Sequence, residues 1–377
     1  MNNAAYFLLP LLAFVLGFFT GRQSQGAGCS SRLVAVRHDS THAVDADSGG
    51  KFRFTSAVSL EERFSAAVMA QDREDAAICM SPKCIPVLAI WNNSLWDRHT
   101  STISLGYPAS KQEYVQKLAL TVTGAEHSLS RDMNPSLRIC GNDWPGEKGT
   151  TMIGLLRIRN IARVVLDAVS NGIEGDFLEA GVWKGGACIF ARGLLNALGQ
   201  THRKVHLLDA FDTLEAYKSL AGLAGSDKDL TRLAQTQDDV TKNFIAQRLY
   251  DPSLVQFHKG LFHDVLPGFY KSGKSNGLKI AVLRIDGNFY DSYQDCLYYL
   301  YEFVPIGGYV IFDDVRSHAS VRRAWIDFVK DYGVFEELIS IDRHSAYFKK
   351  LRDVKIDFAK MHGPYDVNLP PKGGGTR

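Results

Sequence analysis

Apolar residues along this chain alternate between helical spacing and short unbroken runs, and the alternation begins at Met152. Ile153, Leu156, Ile161, Val164, Val165 and Ala168 predict an amphipathic helix, closed by Asn171-Gly172. Asp176–Ala180 predicts a short strand running into a glycine turn, Ala187–Leu198 a helix, and Lys204–Asp209 the next strand. A helix over Asp238–Leu249 follows, then strands over Val255–His258 and Lys279–Ile285. The spacing next predicts a helix over Tyr290–Phe303, a strand over Gly308–Phe312 and a helix over Ala319–Tyr332. Glu336–Asp342 and Ser345–Lys349 suit a terminal hairpin. Repeated strand–helix units predict an α/β fold with a mostly parallel sheet, an antiparallel terminal hairpin, and helices on both faces.

Upstream the pattern changes. Ala4–Thr20 is apolar throughout, with no charge before Arg22. As a helix those roughly 17 residues reach about 26 Å, the lower limit for crossing a bilayer. Residues 1–22 are therefore expected to be a signal anchor, or a signal peptide cut near Gly26 or Ala27. Either places the protein in the secretory pathway, as a single-pass membrane protein or as a secreted one. No Lys or Arg precedes the run, so charge does not set its orientation. Residues 23–50, rich in Ser, Gly, Ala, Asp and His, read as a flexible stem. Residues 51–111 contain a helical stretch at Ser59–Ala77 and a loop-rich patch without an assigned role, and a second helical pattern covers Lys111–Thr121. The α/β domain is expected over 112–352, with a tail over 353–377.

Composition narrows the function classes. Of 377 residues, 45% are hydrophobic and 22% charged, which excludes a disordered or collagen-like chain. Lys and Arg number 43 against 41 acids, and this balance argues against a nucleic-acid partner. The six cysteines show no zinc-type spacing. Cys79 and Cys84 are near enough for a small disulfide loop in an oxidising compartment, whereas Cys188 and Cys296 fall on apolar helical positions and read as core thiols. Asn92-Asn93-Ser94 is a glycosylation acceptor if the chain enters that compartment.

Ligands of an open α/β sheet bind beyond the carboxyl ends of its strands. There the chain carries Glu179-Ala-Gly181-Val-Trp183-Lys-Gly185-Gly186, a loop whose glycines permit close backbone approach to a ligand. Glu179 at its head would repel a pyrophosphate but can face a cationic group. Asp209, ending the next strand, can accept hydrogen bonds from ribose hydroxyls. A ligand with a ribose, a cationic centre and no phosphate fits this pair, and S-adenosylmethionine is such a ligand. NAD fits less well, because the full phosphate loop is absent. Asp286, Asp313 and Asp314 follow two strands that should be neighbours. Three converging carboxylates favour a hard divalent cation such as Mg²⁺, although one or two of them can instead cap the helices that follow.

The order of these motifs resembles the macrocin O-methyltransferase family, S-adenosylmethionine- and Mg²⁺-dependent enzymes that methylate sugar hydroxyls. The resemblance runs from about Tyr114 to Lys350. It includes Gly141-Asn-Asp143-Trp144-Pro145, Thr151-Met152-Ile153-Gly154, the Gly175–Gly186 segment, Asp209-Ala-Phe211, His258–Pro267, Leu283–Gly287, Tyr290-Asp291-Ser292 and Gly307–Asp314. It implies a Rossmann-like methyltransferase sheet. Cofactor contacts are implied from Thr151, Met152, Glu179, Gly181, Trp183, Gly185, Gly186, Asp209 and Gly260, and Mg²⁺ ligation from Asp286, Asp313 and Asp314. Asp291 lies within a matching motif and joins the candidate catalytic set.

The chain departs from the family where Asp-Gly-Asp becomes Asp286-Gly287-Asn288. The second Asp is the expected general base, and an amide cannot take up a proton at neutral pH. Asn288 is therefore expected to position the acceptor, while metal activation or His318 handles the proton. Lys184 stands where arginine is usual, and Gly149-Thr150 where the family has Ala-His. The expected function is an O-methyltransferase acting on a sugar or other small-molecule or glycan hydroxyl, held to a membrane through its N-terminal segment. A catalytically impaired cofactor- or glycan-binding module of the same fold is the alternative, and homo-oligomerisation stays open.

Overall fold

The computed structural model describes residues 109–125, 145, 149–211 and 232–363. The apolar leader, the stem, the Ser59–Ala77 stretch, Cys79, Cys84, Asn92 and the tail beyond 363 lie outside the described residues. Among the described residues no helix is long and apolar enough to cross a membrane.

Helices α1 (Ala109–Thr123) and α2 (Leu155–Ser170) precede β1 (Asp176–Ala180), which leads into α3 (Gly186–Ala197) and β2 (Val205–Asp209). Then come α4 (Gln237–Ala246), β3 (Val255–Lys259), α5 (Phe262–Asn276), β4 (Ile280–Ile285) and α6 (Tyr290–Leu300), which tightens into a 3₁₀ turn over Tyr301–Phe303. The order ends with β5 (Tyr309–Phe312), α7 (Ala319–Tyr332), β6 (Ile339–Ser340) and β7 (Ala346–Lys349). These strands form one seven-stranded sheet in the order β3-β2-β1-β4-β5-β7-β6. β7 alone runs antiparallel to its neighbours, so the expected mixed sheet is what the chain builds.

Each face of the sheet buries its own apolar cluster. Val115, Ile158, Ile161, Phe190, Leu194 and Phe244 from α1–α4 meet Phe177, Val282 and Ile311 on one face. Leu266, Tyr293, Leu297, Trp325 and Phe328 from α5–α7 meet Leu178, Leu283 and Phe312 on the other. Both faces being covered explains why the central strands read as apolar runs rather than alternating ones. Cys188 and Cys296 are buried free thiols, as expected from their helical positions.

Two elements differ from the sequence expectation. α5 was hidden by Pro267 and Gly268, which break a helical pattern in sequence; Pro267 nonetheless lies inside the helix, with Leu266 buried beside it. The strand expected over Glu336–Asp342 shrinks to two residues. Its end is used otherwise: the Asp342 carboxylate is turned inward and accepts the amides of His344 and Ser345 at 2.8 and 2.9 Å, closing a tight turn.

Hydrogen bonding continues one residue past the strands. Gly181 N donates to Leu208 O, Asp286 N to Ala180 O, Asp313 N to Ile285 O, and Gly260 N to Asp209 O, all within 3.0 Å. These bonds hold the first loop residues in line along the carboxyl edge of the sheet.

Candidate active site

β1 and β4 lie side by side although α3, β2, α4, β3 and α5 separate them along the chain, so the strand order reverses between them. Glycine is required at the mouth of that switch. Gly181 has φ +89°, and a Cβ there would lie 1.9 Å from the Asp286 carbonyl oxygen. Gly186 is equally closed in, with Thr150 backbone atoms 2.7 Å from where a Cβ would stand. The Thr150 carbonyl accepts the Gly186 amide, and both Thr150 N and Thr151 N donate to Val122 O at the end of α1. Thr151 and Met152 are thereby laid against the glycine loop. Trp183 takes φ +48° in that loop, and its indole N–H donates to Arg232 O at 2.8 Å.

Asp209 closes the other side of the loop. Its Oδ2 accepts the amides of Val182 at 2.6 Å and Trp183 at 3.1 Å. The carboxylate thus shapes the loop directly.

Asp286, Asp313 and Asp314 converge: each offers an oxygen within 4.8 Å of the others. The sequence alone did not reveal what keeps them there. Arg284, the one charged residue in β4, is buried between β1 and β5 and reaches Glu179, Asp286 and Asp313, the Asp286 contact at 3.0 Å. Arg157 on α2 adds Nη1 to Asp313 Oδ2 at 2.6 Å and Nε to Asp342 Oδ2 at 2.7 Å. Burial would raise the Asp313 carboxyl, but the Arg157 and Arg284 charges outweigh it and hold it below the usual carboxylate value. Asp286 goes the other way: burial first, then the Asp313 charge, push it well up. Tyr293 ties the two strand ends together, donating to Ile285 O at 2.8 Å and accepting from Asp314 N at 3.3 Å.

Glu179 lies near the end of β1 with a partner that the sequence did not disclose. It is 2% exposed, paired with Arg284, and accepts the Cys188 thiol at 2.8 Å. It faces directly opposite Arg284 across β1 and β4, so its charge supports the site floor. Arg284 left a signal in the sequence, a lone guanidinium within a buried apolar strand, which requires an anionic partner; Arg157 left none, being one of three arginines on α2.

The remaining candidates line the rim. Asn288 is exposed at φ +59°, a conformation Asn tolerates better than most residues. Asp291 stands exposed in the first turn of α6. His318, just before α7, has Nδ1 3.5 Å from Asp314 Oδ1 and 3.1 Å from Ser317 Oγ. Its hydrogen bond to Asp314 raises its pKa above the ordinary value. Gly260 has φ +141° and lies against Val265, at the turn from β3 into α5.

A sheet of this order with a reversed seventh strand, a glycine loop beyond β1 and a carboxylate beyond β2 define the class: an S-adenosylmethionine-dependent methyltransferase. The model of the macrocin O-methyltransferase (TylF) family matches residues 89–350, and the chain belongs to that family. Demethyldecarbamoylnovobiocin O-methyltransferase of Streptomyces niveus is 37% identical over 217 residues, covering 56% of this chain and 79% of its own. Mycinamicin III 3''-O-methyltransferase of Micromonospora griseorubida is 33% identical over 219 residues, covering 56% and 83%. The solved structure of the O-methyltransferase NovP superposes with a TM-score of 0.56 at 32% identity, over 64% of this chain and all of that one. The chain is accordingly an S-adenosylmethionine-dependent O-methyltransferase.

Proposed function

We propose that the acceptor is a sugar hydroxyl and that Asp286, Asp313 and Asp314 hold Mg²⁺ beside it. The observation that carries this reading is the convergence of three carboxylates at the sheet's switch point, next to the glycine loop. The donor set fits a hard divalent cation: it is all oxygen. Arg157 and Arg284 are too few to balance Glu179, Asp286, Asp313, Asp314 and Asp342. The glycine loop fits S-adenosylmethionine, because its backbone leaves no room for Cβ atoms at Gly181 and Gly186 and carries no phosphate-binding motif. A Streptomyces olivaceus relative, 33% identical over 216 residues and named as a 4'-O-methyltransferase of a rhamnosyl-tetracenomycin, supports the sugar acceptor.

In this reading S-adenosylmethionine would supply a sulfonium-bound methyl group, and Mg²⁺ held by Asp286, Asp313 and Asp314 would make the acceptor hydroxyl more acidic. The chain's own residues do the orienting. Asp209 and the Gly181–Gly186 loop hold the ribose and methionine ends, with Thr151, Met152 and Gly260 bordering them. Asn288 positions the acceptor at the rim, with Asp291 nearby, and His318 stands beside Asp314 to receive the proton. Catalysis then comes mainly from alignment and charge stabilisation. The apolar leader over 4–20 keeps this activity at a membrane of the secretory pathway, which favours glycan or lipid-linked sugar acceptors over free small molecules. Deleting residues 1–22 and following the chain by membrane fractionation tests the anchor: a chain that pellets unchanged sinks it.

The deciding experiment is methyl transfer to a panel of methyl glycosides with Mg²⁺ and with EDTA. Transfer that persists in EDTA removes the metal from the mechanism. Cofactor binding without transfer to any acceptor favours the impaired binding module.

A further inference from the structure

The turn between β6 and β7 is built onto the aspartate cluster from three sides. Asp342 receives Arg157 from α2 as well as the amides of its own turn. Ser345 Oγ donates to the Asp313 carbonyl, and Arg316 N donates to the His344 carbonyl at 2.9 Å. His344 is therefore held in place by backbone bonds that its side chain does not make. Its ring lies within the fields of Arg157, Asp342, Arg343 and Asp314.

The state of that ring follows from its neighbour. Arg343 Nε donates to His344 Nε2 at 2.8 Å. A guanidinium keeps its protons, so Nε2 is the bare nitrogen and a neutral ring carries its proton on Nδ1. Burial, and after it the Arg157 charge, lower the imidazole's pKa, which keeps the ring neutral near pH 7. Among the described residues this buried Nδ1–H has no hydrogen-bond partner, and Arg157 Nη2 is a second buried donor in the same condition. Native structures rarely leave such donors unpaired. Both lack an oxygen with lone pairs, and the surplus of carboxylates nearby disfavours an anion.

We propose that His344 holds the acceptor, its Nδ1–H donating to a neutral oxygen of the sugar next to the hydroxyl that is methylated. This rests on the sugar-methyltransferase reading above, and it assigns specificity to a turn outside the cofactor loop and the aspartates.

The test uses the full chain with S-adenosylmethionine, Mg²⁺, and a panel of methyl glycosides that includes methyl α-L-rhamnopyranoside and its monodeoxy analogues. His344→Ala should lower kcat/KM for the acceptor roughly 10- to 100-fold, chiefly through KM. The Kd for S-adenosylhomocysteine and the Tm should not move. His344→Asn, whose amide N–H can stand where Nδ1–H does, should restore most of the loss. The deoxy sugar lacking the bound oxygen should be equally poor with wild type and His344→Ala. Wild-type transfer that His344→Ala matches overturns the role of His344 alone. So does an imidazole ¹⁵N spectrum showing the proton on Nε2, which needs neither acceptor nor variant. No transfer by wild type to any panel member overturns the sugar-acceptor reading on which this proposal rests.

Discussion

Arg284 is where the site's electrostatics and the fold's stability meet. It lies in a central strand with its guanidinium shared among Glu179, Asp286 and Asp313. Removing one partner of such a buried network strands the others' charges, typically at a cost of about 3–5 kcal/mol. Arg284→Met should lose about that much in urea unfolding, and the double variant with Glu179→Gln should recover part of it. Gly181 is constrained by geometry rather than charge. Gly181→Ala must accept both a positive φ and a clash with the Asp286 carbonyl, so the loop should shift. We expect about 2 kcal/mol of lost stability and at least tenfold weaker S-adenosylhomocysteine binding by calorimetry. At this scale the sequence disclosed the residues that chemistry demands, because their types are restrictive. It did not disclose the pairing of Glu179 with Arg284, because a carboxylate suits either a ligand or a buried arginine and the register of β1 against β4 is not written locally.

Strands β1–β3 carry a second titratable group away from the site. Asp176 Oδ2 lies 3.0 Å from His206 Nε2, and His206 Nδ1 lies 3.1 Å from His258 Nε2, with Phe269 of α5 edge-on to both rings. Burial, then the His206 charge, push the His258 pKa down to about 4. The folded value lies below the ordinary 6.5, so the unfolded chain takes up the proton first. The contribution is complete above pH 6.5 and is lost as pH falls through 6.5 towards 4. It amounts to at most about 3 kcal/mol, reduced by the ring's partial exposure. Urea midpoints should therefore fall between pH 7.5 and pH 4.5, and His258→Gln should flatten that slope. Most elements were legible from periodicity, because burial on both faces writes long apolar runs into β1, β4 and β5. α5 and the truncated β6 were not: packing overrides the local signal of Pro267 in the first, and the inward turn of Asp342 ends the second.

For the whole molecule, balanced total charge conceals a local excess of acid around the aspartate cluster. That excess predicts metal dependence. Asp314→Asn should reduce methyl transfer at least 100-fold at fixed Mg²⁺ while leaving S-adenosylhomocysteine binding within a few-fold of wild type. Asn288 is the other open element of the mechanism. Asp also tolerates its left-handed backbone, so Asn288→Asp can be compared without refolding the loop. If proton transfer limits the reaction, the variant should be faster and its pH–rate profile should shift. If the metal already activates the hydroxyl, the rate should stay the same or fall.

Family membership, the α/β class and the positions of the glycine loop and the acidic motifs follow from the sequence by itself. Each is a local requirement on residue type: a positive φ, a carboxylate, a run of apolar side chains. The tertiary structure alone decided which charges meet. Arg157, Arg284, Asp313 and Asp342 are brought together from one helix and three strand ends across up to 185 residues of chain. Such pairing depends on sheet order and register, which no local pattern encodes. The same crossing of distant segments leaves the buried His344 Nδ1 without a partner among the described residues.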